Sequence, residues 1–101
     1  MSIVHSARDR RDSFFDSVFE APEGPREAAV ARIVADVLNL DRVGRSDGFY
    51  DFGATSLHAV RICARIKEVL DVTARPDLLF HSDTLAEFVA TLGAPSGEVA
   101  P

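Results

Sequence analysis

Apolar residues recur at three- and four-residue steps along two long stretches of the chain, as they do on the buried face of a helix. The first stretch begins after Gly24, where Pro25 suits the first helical turn, and it predicts a helix over residues 25–39. The second stretch predicts a helix over residues 56–70. Charged residues lie off both stripes, so each helix is expected to bury one face in a common core.

Two further helices are predicted in the last third of the chain. Asp77 to Phe80 leave room for a short third helix, and Thr84 and Glu87 mark the start of a fourth, since they have the spacing of a capping box. The apolar stripe of this last helix reaches Leu92, after which a glycine stops it. No stretch alternates as a strand would. The sequence therefore predicts an all-α fold, a small four-helix bundle with three main helices and one short helix.

A long loop, residues 40–55, connects the first two helices. Turn-forming residues dominate it, yet Phe49, Tyr50 and Phe52 lie among them. A loop of this length in a compact domain usually has a function or is held by its own side chains. We expect the aromatic residues to pin it.

The two ends of the chain lie outside the predicted bundle. Residues 1–24 form an N-terminal extension in which Phe14, Phe15, Val18 and Phe19 fall at helical spacing. This spacing is compatible with a short amphipathic helix that packs on the bundle or docks on another protein. A disordered leader is the alternative. The last residues, 94–101, are predicted to be a flexible tail.

Composition narrows the classes of partner. The chain of 101 residues has 16 acidic and 11 basic side chains and a formal charge of −5, which disfavours binding to nucleic acid or to an anionic membrane. No apolar run approaches the length of a signal core or a membrane span. The single cysteine, Cys63, allows no internal disulfide, so we expect a cytoplasmic protein.

Ser56 is the main candidate for chemistry. It follows Gly53, Ala54 and Thr55 at the start of the second predicted helix, so its hydroxyl should be exposed to another macromolecule. The positive end of the helix dipole favours an anion attached there. Position alone, however, favours a simple helix N-cap.

Other kinds of site are disfavoured. A nucleophile elbow needs glycine two residues before and after the serine, where this chain has Ala54 and His58. His58 is also a poor base for Ser56, because residues two apart on a helix point to different faces. The loop aspartates lack the spacing of a calcium-binding loop. Cys63 falls on the apolar stripe and is expected to be inert. The sequence therefore predicts no catalytic residue and no metal site.

The residues from Asp47 to Leu57, DGFYDFGATSL, resemble the thiolation motif of peptidyl carrier domains in nonribosomal peptide synthesis. In that family, which belongs to the phosphopantetheine-binding acyl carrier superfamily, paired aromatic residues precede a glycine-rich turn and a serine–leucine pair. The helices predicted on both sides of the motif support the resemblance. Residues 25–93 would then be the carrier domain.

The resemblance implies that Ser56 receives 4'-phosphopantetheine from coenzyme A, transferred by a phosphopantetheinyl transferase that supplies the magnesium and the base. The thiol of the arm then carries an aminoacyl, peptidyl or acyl group as a thioester. The chain would be a non-catalytic phosphoprotein, loaded by an adenylating enzyme and used by a condensation or tailoring enzyme, for example in antibiotic biosynthesis. The implied partner contacts are Thr55, Leu57, Val60, Arg61 and Phe80, and a simply solvated face is the alternative for them.

Two departures from the family pattern bear on the subtype. Thr55 stands where the family more often has histidine, aspartate or asparagine, and Ala54 replaces a common second glycine. Carriers of fatty acid and polyketide synthesis favour an acidic second helix, whereas this one has Arg61, Arg65 and Lys67. The peptidyl type is favoured, and an acyl carrier is the alternative.

From another class, a helical protein-interaction module without a prosthetic group is the competing hypothesis. A DNA-binding helical domain is disfavoured by the acidic charge. The chain is expected to be a free-standing, monomeric carrier whose partners act in trans, and a domain cut from a longer protein is the alternative.

Overall fold

A computed structural model describes residues 8–15 and 17–93 of the chain. These residues form four α-helices: α1 (Gly24–Leu38), α2 (Ser56–Leu70), α3 (Pro76–His81) and α4 (Leu85–Ala90). Two single 3₁₀ turns, Arg11–Ser13 and Tyr50–Phe52, precede α1 and α2. The predicted all-α four-helix bundle is confirmed, and α4 ends before the predicted Leu92. Within the described ranges, no helix has both the length and the apolar character needed to cross a membrane.

Each of the two long helices is followed by a residue in the left-handed conformation. Asn39 follows α1 with φ of 58°, and Asp71 follows α2 with φ of 55°. Asparagine and aspartate adopt this conformation more readily than most residues, because their short polar side chains can hydrogen-bond locally. The reversal at Asn39 ends α1 at Leu38, one residue before the predicted end.

The hydrophobic core lies where α1 meets α2 and α4, and α2 in turn packs against α3. Side chains from these helices are almost completely excluded from solvent. Phe49 and Phe52 of the long loop are buried in the same core, so they pin the loop as predicted. The most deeply buried helical residues include Val30, Val34, Ala59, Ile62, Ile66 and Phe88.

We refer to residues 8–15 and 17–23 as the strap. Its one helical element is the turn Arg11–Ser13, so the amphipathic helix predicted through Phe14, Phe15, Val18 and Phe19 is not formed there. The reason is that the strap pairs its backbone with the loop: Asp9 bonds to the backbone of both Asn39 and Asp41, and Glu20 accepts a hydrogen bond from Arg45 N. The predicted tail, 94–101, lies outside the described residues.

An ion pair joins the loop to the first turn of α1. Arg45 Nε donates to Glu27 Oε1 over 2.9 Å, and Arg45 Nη2 donates to Oε2 over 3.0 Å. The guanidinium, together with the N–H of Glu23, lowers the pKa of Glu27 from its ordinary value of 4.5. A carboxylate with a lowered folded-state pKa stabilises the fold above its ordinary pKa, and this stabilisation is lost as the pH falls below about 4.5.

Replacing Glu27 with glutamine is therefore expected to lower the free energy of unfolding at neutral pH, and by progressively less as the pH approaches 3. Urea unfolding across this range measures the effect. Glu68→Gln is the matched control, since the Glu68 side chain is 71% exposed and lies 3.5 Å from Arg65. A Glu27→Gln penalty that does not change with pH contradicts the assigned role.

Candidate functional site

Ser56 is the first residue of α2, and the residue before it caps the helix. Thr55 is the N-cap, in an extended conformation, and its hydroxyl accepts a hydrogen bond from His58 N. Ser56 is exposed. Within the described part of the chain, no hydrogen bond engages its hydroxyl. The N-cap reading of Ser56 is thus wrong, because Thr55 fills that role and leaves the serine side chain unused.

The cap at the start of α2 is reciprocal. His58 Nδ1 accepts a hydrogen bond from Thr55 N over 3.0 Å, while the Thr55 hydroxyl accepts from His58 N over 3.4 Å. This arrangement is a capping box with an imidazole in the place that glutamate or glutamine usually takes. Two backbone N–H groups that would otherwise have no partner are satisfied, which fixes the backbone on both sides of Ser56.

The loop reaches α2 through a tight turn. The 3₁₀ turn Tyr50–Phe52 is followed by Gly53, whose φ of 74° lies in the left-handed region that glycine adopts without strain. Phe49 and Tyr50 contact the ring of Phe80 in α3, with centroid distances of 5.0 and 5.2 Å. These aromatic contacts hold the turn against α3 just before the chain reaches Ser56.

Farther back in the loop, Asp47 is buried and paired with Arg11 of the strap. The two side chains are each 1% exposed, and Arg11 Nη2 lies 2.7 Å from Asp47 Oδ1. The hydrogen bonds to the carboxylate raise the pKa of Arg11 above its ordinary value. The Arg11 guanidinium therefore stays positively charged at any physiological pH.

The predicted partner-contact residues are mostly on the surface. Leu57 and Val60 are 66% and 52% exposed, and Arg61 lies beside them on the same side of α2. Phe80 is half-buried by the loop aromatics, while Tyr50 is 66% exposed. Thr55 is exposed, but its hydroxyl is engaged in the cap. Leu57, Val60 and Arg61 thus lie together on the surface of α2 next to Ser56. Leu57 and Val60 are the apolar part of this patch.

One cavity in the described residues lies within the hydrophobic core. An apolar cavity lined by Val43, Phe49, Phe52 and Phe88 has a volume of about 10 Å³, which is close to the space of one water molecule. No group of metal-ligating side chains occurs in residues 8–15 and 17–93. Burial raises the pKa of the Cys63 thiol to about 11, so this core cysteine is unreactive as a thiolate. Ser56 is exposed and does not line the small core cavity.

Comparison with known proteins identifies the family. The phosphopantetheine attachment site family matches residues 28–92, a range that contains all but the start of the helical bundle. The chain belongs to this family. Malpinin synthetase of Mortierella alpina is 40% identical over 80 residues, which are 79% of this chain and 1% of that protein. The chain therefore spans a very small part of this curated relative.

Solved structures agree with the family assignment. A nonribosomal peptidyl carrier domain superimposes with a TM-score of 0.70 at 25% identity, over 76% of this chain and 99% of that one. A chain from the structure of the phosphopantetheine transferase Sfp with coenzyme A and a peptidyl carrier protein gives a TM-score of 0.64 at 29% identity, over 72% of this chain and 99% of that one. The fold of this family member is therefore that of a carrier protein.

The described residues fit the prosthetic group of the family, 4'-phosphopantetheine. Ser56 offers an exposed hydroxyl with no intramolecular hydrogen bond in the described ranges. The N-terminal end of α2, a helix of 15 residues, favours the negative charge of a phosphodiester. When bound, this group supplies a thiol for thioester formation, and Ser56 at the start of α2 is the candidate residue to hold it.

Two parts of this family member's site were missed in the sequence. His58 was considered only as a base, although the Thr55 to His58 spacing is that of a capping box and could have revealed the cap. The role of Arg11 could not be found in the same way. No local signal marks it, because its partner Asp47 lies 36 positions away in the chain.

Replacing Thr55 with alanine is expected to destabilise the fold by about 0.5–2 kcal/mol, the usual range for loss of an N-cap side chain. Hydrogen exchange at the His58 amide should become faster, because this amide loses its acceptor. Thr73→Ala is the control, since Thr73 is exposed and lies outside the helices. Unchanged unfolding and unchanged exchange at His58 would show that the cap does not order the start of α2.

Proposed function

We propose that this chain is a peptidyl carrier of nonribosomal peptide synthesis and that its 4'-phosphopantetheine arm is attached to Ser56 Oγ. The observation that carries this proposal is the exposed, unengaged hydroxyl of Ser56 at the first position of α2, within the motif from Asp47 to Leu57. The capping role that could otherwise explain this serine belongs to Thr55.

Attachment requires a base, and none of the residues 8–15 and 17–93 is hydrogen-bonded to the Ser56 hydroxyl. The proposed reaction joins Ser56 Oγ to the phosphorus of the pantetheine phosphate as the bond to 3',5'-ADP breaks, and the hydroxyl proton leaves. The nearby imidazole of His58 uses Nδ1 as the acceptor for Thr55 N, so its orientation serves the helix cap. A phosphopantetheinyl transferase would therefore supply the base, and the chain itself would be a substrate and carrier, not an enzyme.

The partners follow from the same proposal. A tethered thioester must be loaded by an adenylating enzyme and used by a condensation or tailoring enzyme, and tethering supplies a high effective concentration at each of them. The small exposed patch of Leu57, Val60 and Arg61 suits brief contacts better than permanent ones. We infer a monomer that works in the cytoplasm with these partners.

The character of α2 favours the peptidyl subtype over the acyl subtype. Its outer side has Arg61, Arg65 and Lys67 against the single acid Glu68. An enzyme that recognises a strongly acidic helix would find the opposite charge here. An acyl carrier of polyketide or fatty acid synthesis is the second candidate, and the basic side chains of α2 make it the less favoured one.

Incubation of the apo chain with coenzyme A and a broad-specificity phosphopantetheinyl transferase is expected to add the mass of one phosphopantetheinyl group. Intact-protein mass spectrometry detects this gain. Ser56→Ala should abolish it, whereas Ser13→Ala, which removes an exposed hydroxyl in the strap, should leave it unchanged. If the unsubstituted chain gains no mass, the carrier function is wrong, and a helical interaction module without a prosthetic group becomes the better hypothesis.

Thiol labelling gives an independent test. Because the pKa of Cys63 is raised to about 11 by burial, the folded apo chain should react very slowly with iodoacetamide at pH 8. After phosphopantetheine transfer, one thiol per chain should react rapidly. Cys63→Ser should retain this new label, which assigns it to the arm. Equal rates of labelling before and after transfer would contradict the proposal.

A further inference from the structure

Arg11 of the strap is the most completely buried basic side chain among the described residues, with 1% of its side chain exposed. The guanidinium binds Asp47 through two bonds, Nε to Oδ2 at 2.8 Å and Nη2 to Oδ1 at 2.7 Å. Nη1 donates to the carbonyl of Ser17 at 2.9 Å and to Asp12 at 3.2 Å. Such a planar fork on a carboxylate fixes distance and orientation together.

Aromatic rings of the strap enclose the same guanidinium. Arg11 Cζ lies 5.0 Å from the centroid of the Phe15 ring and 5.6 Å from that of the Phe19 ring. Both distances are within the range of a cation–π contact. The strap thus folds around Arg11. Among the described residues, Asp47 is the one residue outside the strap that accepts a hydrogen bond from the Arg11 side chain.

Asp47 in turn organises the loop that leads to Ser56. Its Oδ2 accepts a hydrogen bond from Gly44 N at 2.8 Å, which closes the turn before it. Its backbone carbonyl accepts from Leu85 N at 2.9 Å, which ties the loop to the start of α4. The Arg11–Asp47 pair therefore links three parts of the chain: the strap, the loop and α4.

The strap also touches the loop closer to Ser56. Phe14 and Phe15 pack edge-on against the ring of Phe52, with centroid distances of 5.6 and 4.8 Å. Phe52 ends the 3₁₀ turn from which the chain passes through Gly53 to α2. The strap thus holds the loop at two places before Ser56, at Asp47 and at Phe52.

Close packing at Gly44 shows that the strap fits this loop specifically. A Cβ atom at this position would lie 2.8 Å from the backbone oxygen of Glu20 and 3.2 Å from the Phe19 ring. The first of these is a backbone atom of the strap, which cannot move aside without moving the strap. A methyl group at Gly44 would therefore push the strap off the loop without changing any charge.

We propose that Arg11 is a positioning residue for the modification of Ser56, and that through Asp47 it holds the loop in the form that a phosphopantetheinyl transferase recognises. The strap is then a working part of the carrier domain, although it precedes residues 28–92, which the family match covers. This inference rests on the proposed attachment at Ser56. The kinetics of the phosphopantetheinyl transferase with this chain as substrate measure the positioning effect.

The proposal predicts a particular kinetic signature. Without Arg11, the Asp47 carboxylate must reach water, and the loop spends part of its time away from the bundle. Only the docked fraction presents Ser56, so the transferase KM for the carrier rises by the inverse of that fraction while kcat is retained. We expect a rise in KM of about tenfold for Arg11→Met. A residue that merely stabilised the fold would leave KM unchanged below the melting temperature.

The experiment compares full-length chains in the transferase reaction, with saturating coenzyme A and initial rates from intact mass. Circular dichroism first establishes that each variant is folded at the assay temperature. Arg10→Met is the matched control, because the neighbouring Arg10 side chain is 75% exposed and only approaches Asp12 at 4.0 Å. Gly44→Ala is the second test variant and decides the matter if Arg11→Met does not fold.

The expected result is a raised KM with retained kcat for Arg11→Met and Gly44→Ala, and wild-type values for Arg10→Met. Wild-type KM in folded Arg11→Met or Gly44→Ala would overturn the positioning role, even if their melting temperatures fall. Failure of the proposed function looks different, since the unsubstituted chain itself would then gain no mass.

Discussion

The ion pair between Arg11 and Asp47 joins the strap to the loop, and the loop delivers Ser56 to the start of α2. Both side chains are 1% exposed, so neither can recover its hydration while the fold is intact. Removing one partner of such a pair typically costs about 3–5 kcal/mol, which is a large share of the 5–15 kcal/mol that stabilises an ordinary domain. The loop is thus held by this buried polar contact together with the burial of Phe49 and Phe52 in the hydrophobic core.

This arrangement combines a rigid support with the exposed side chain of Ser56, the proposed attachment point. The loop is fixed by Asp47, by the aromatic contacts of Phe80 and by the cap of Thr55, yet Ser56 itself touches little. A carrier needs this combination, because partner enzymes must find the serine in a constant place and must also release the chain afterwards.

Most of the bundle could be predicted from the sequence, because helical periodicity and turn residues are local signals. The range of α2 was predicted to the residue, whereas α1 ends one residue before its predicted end because Asn39 turns left-handed. The strap could not be predicted in the same way. The phenylalanines of the strap have helical spacing, but long-range contacts determine their conformation instead. Phe14 and Phe15 pack on Phe52, and Phe19 packs on Arg42. Tertiary contacts of this kind leave no periodic mark in the chain.

The most direct test of the account is a double-mutant cycle on Arg11→Met and Asp47→Asn, read as the transferase KM for the full-length chain. If the two residues act as one unit that positions Ser56, either single substitution removes most of the effect and the double variant is no worse than the singles. If the two single effects multiply in the double variant, Arg11 and Asp47 act independently, and the strap does not position Ser56 through this pair.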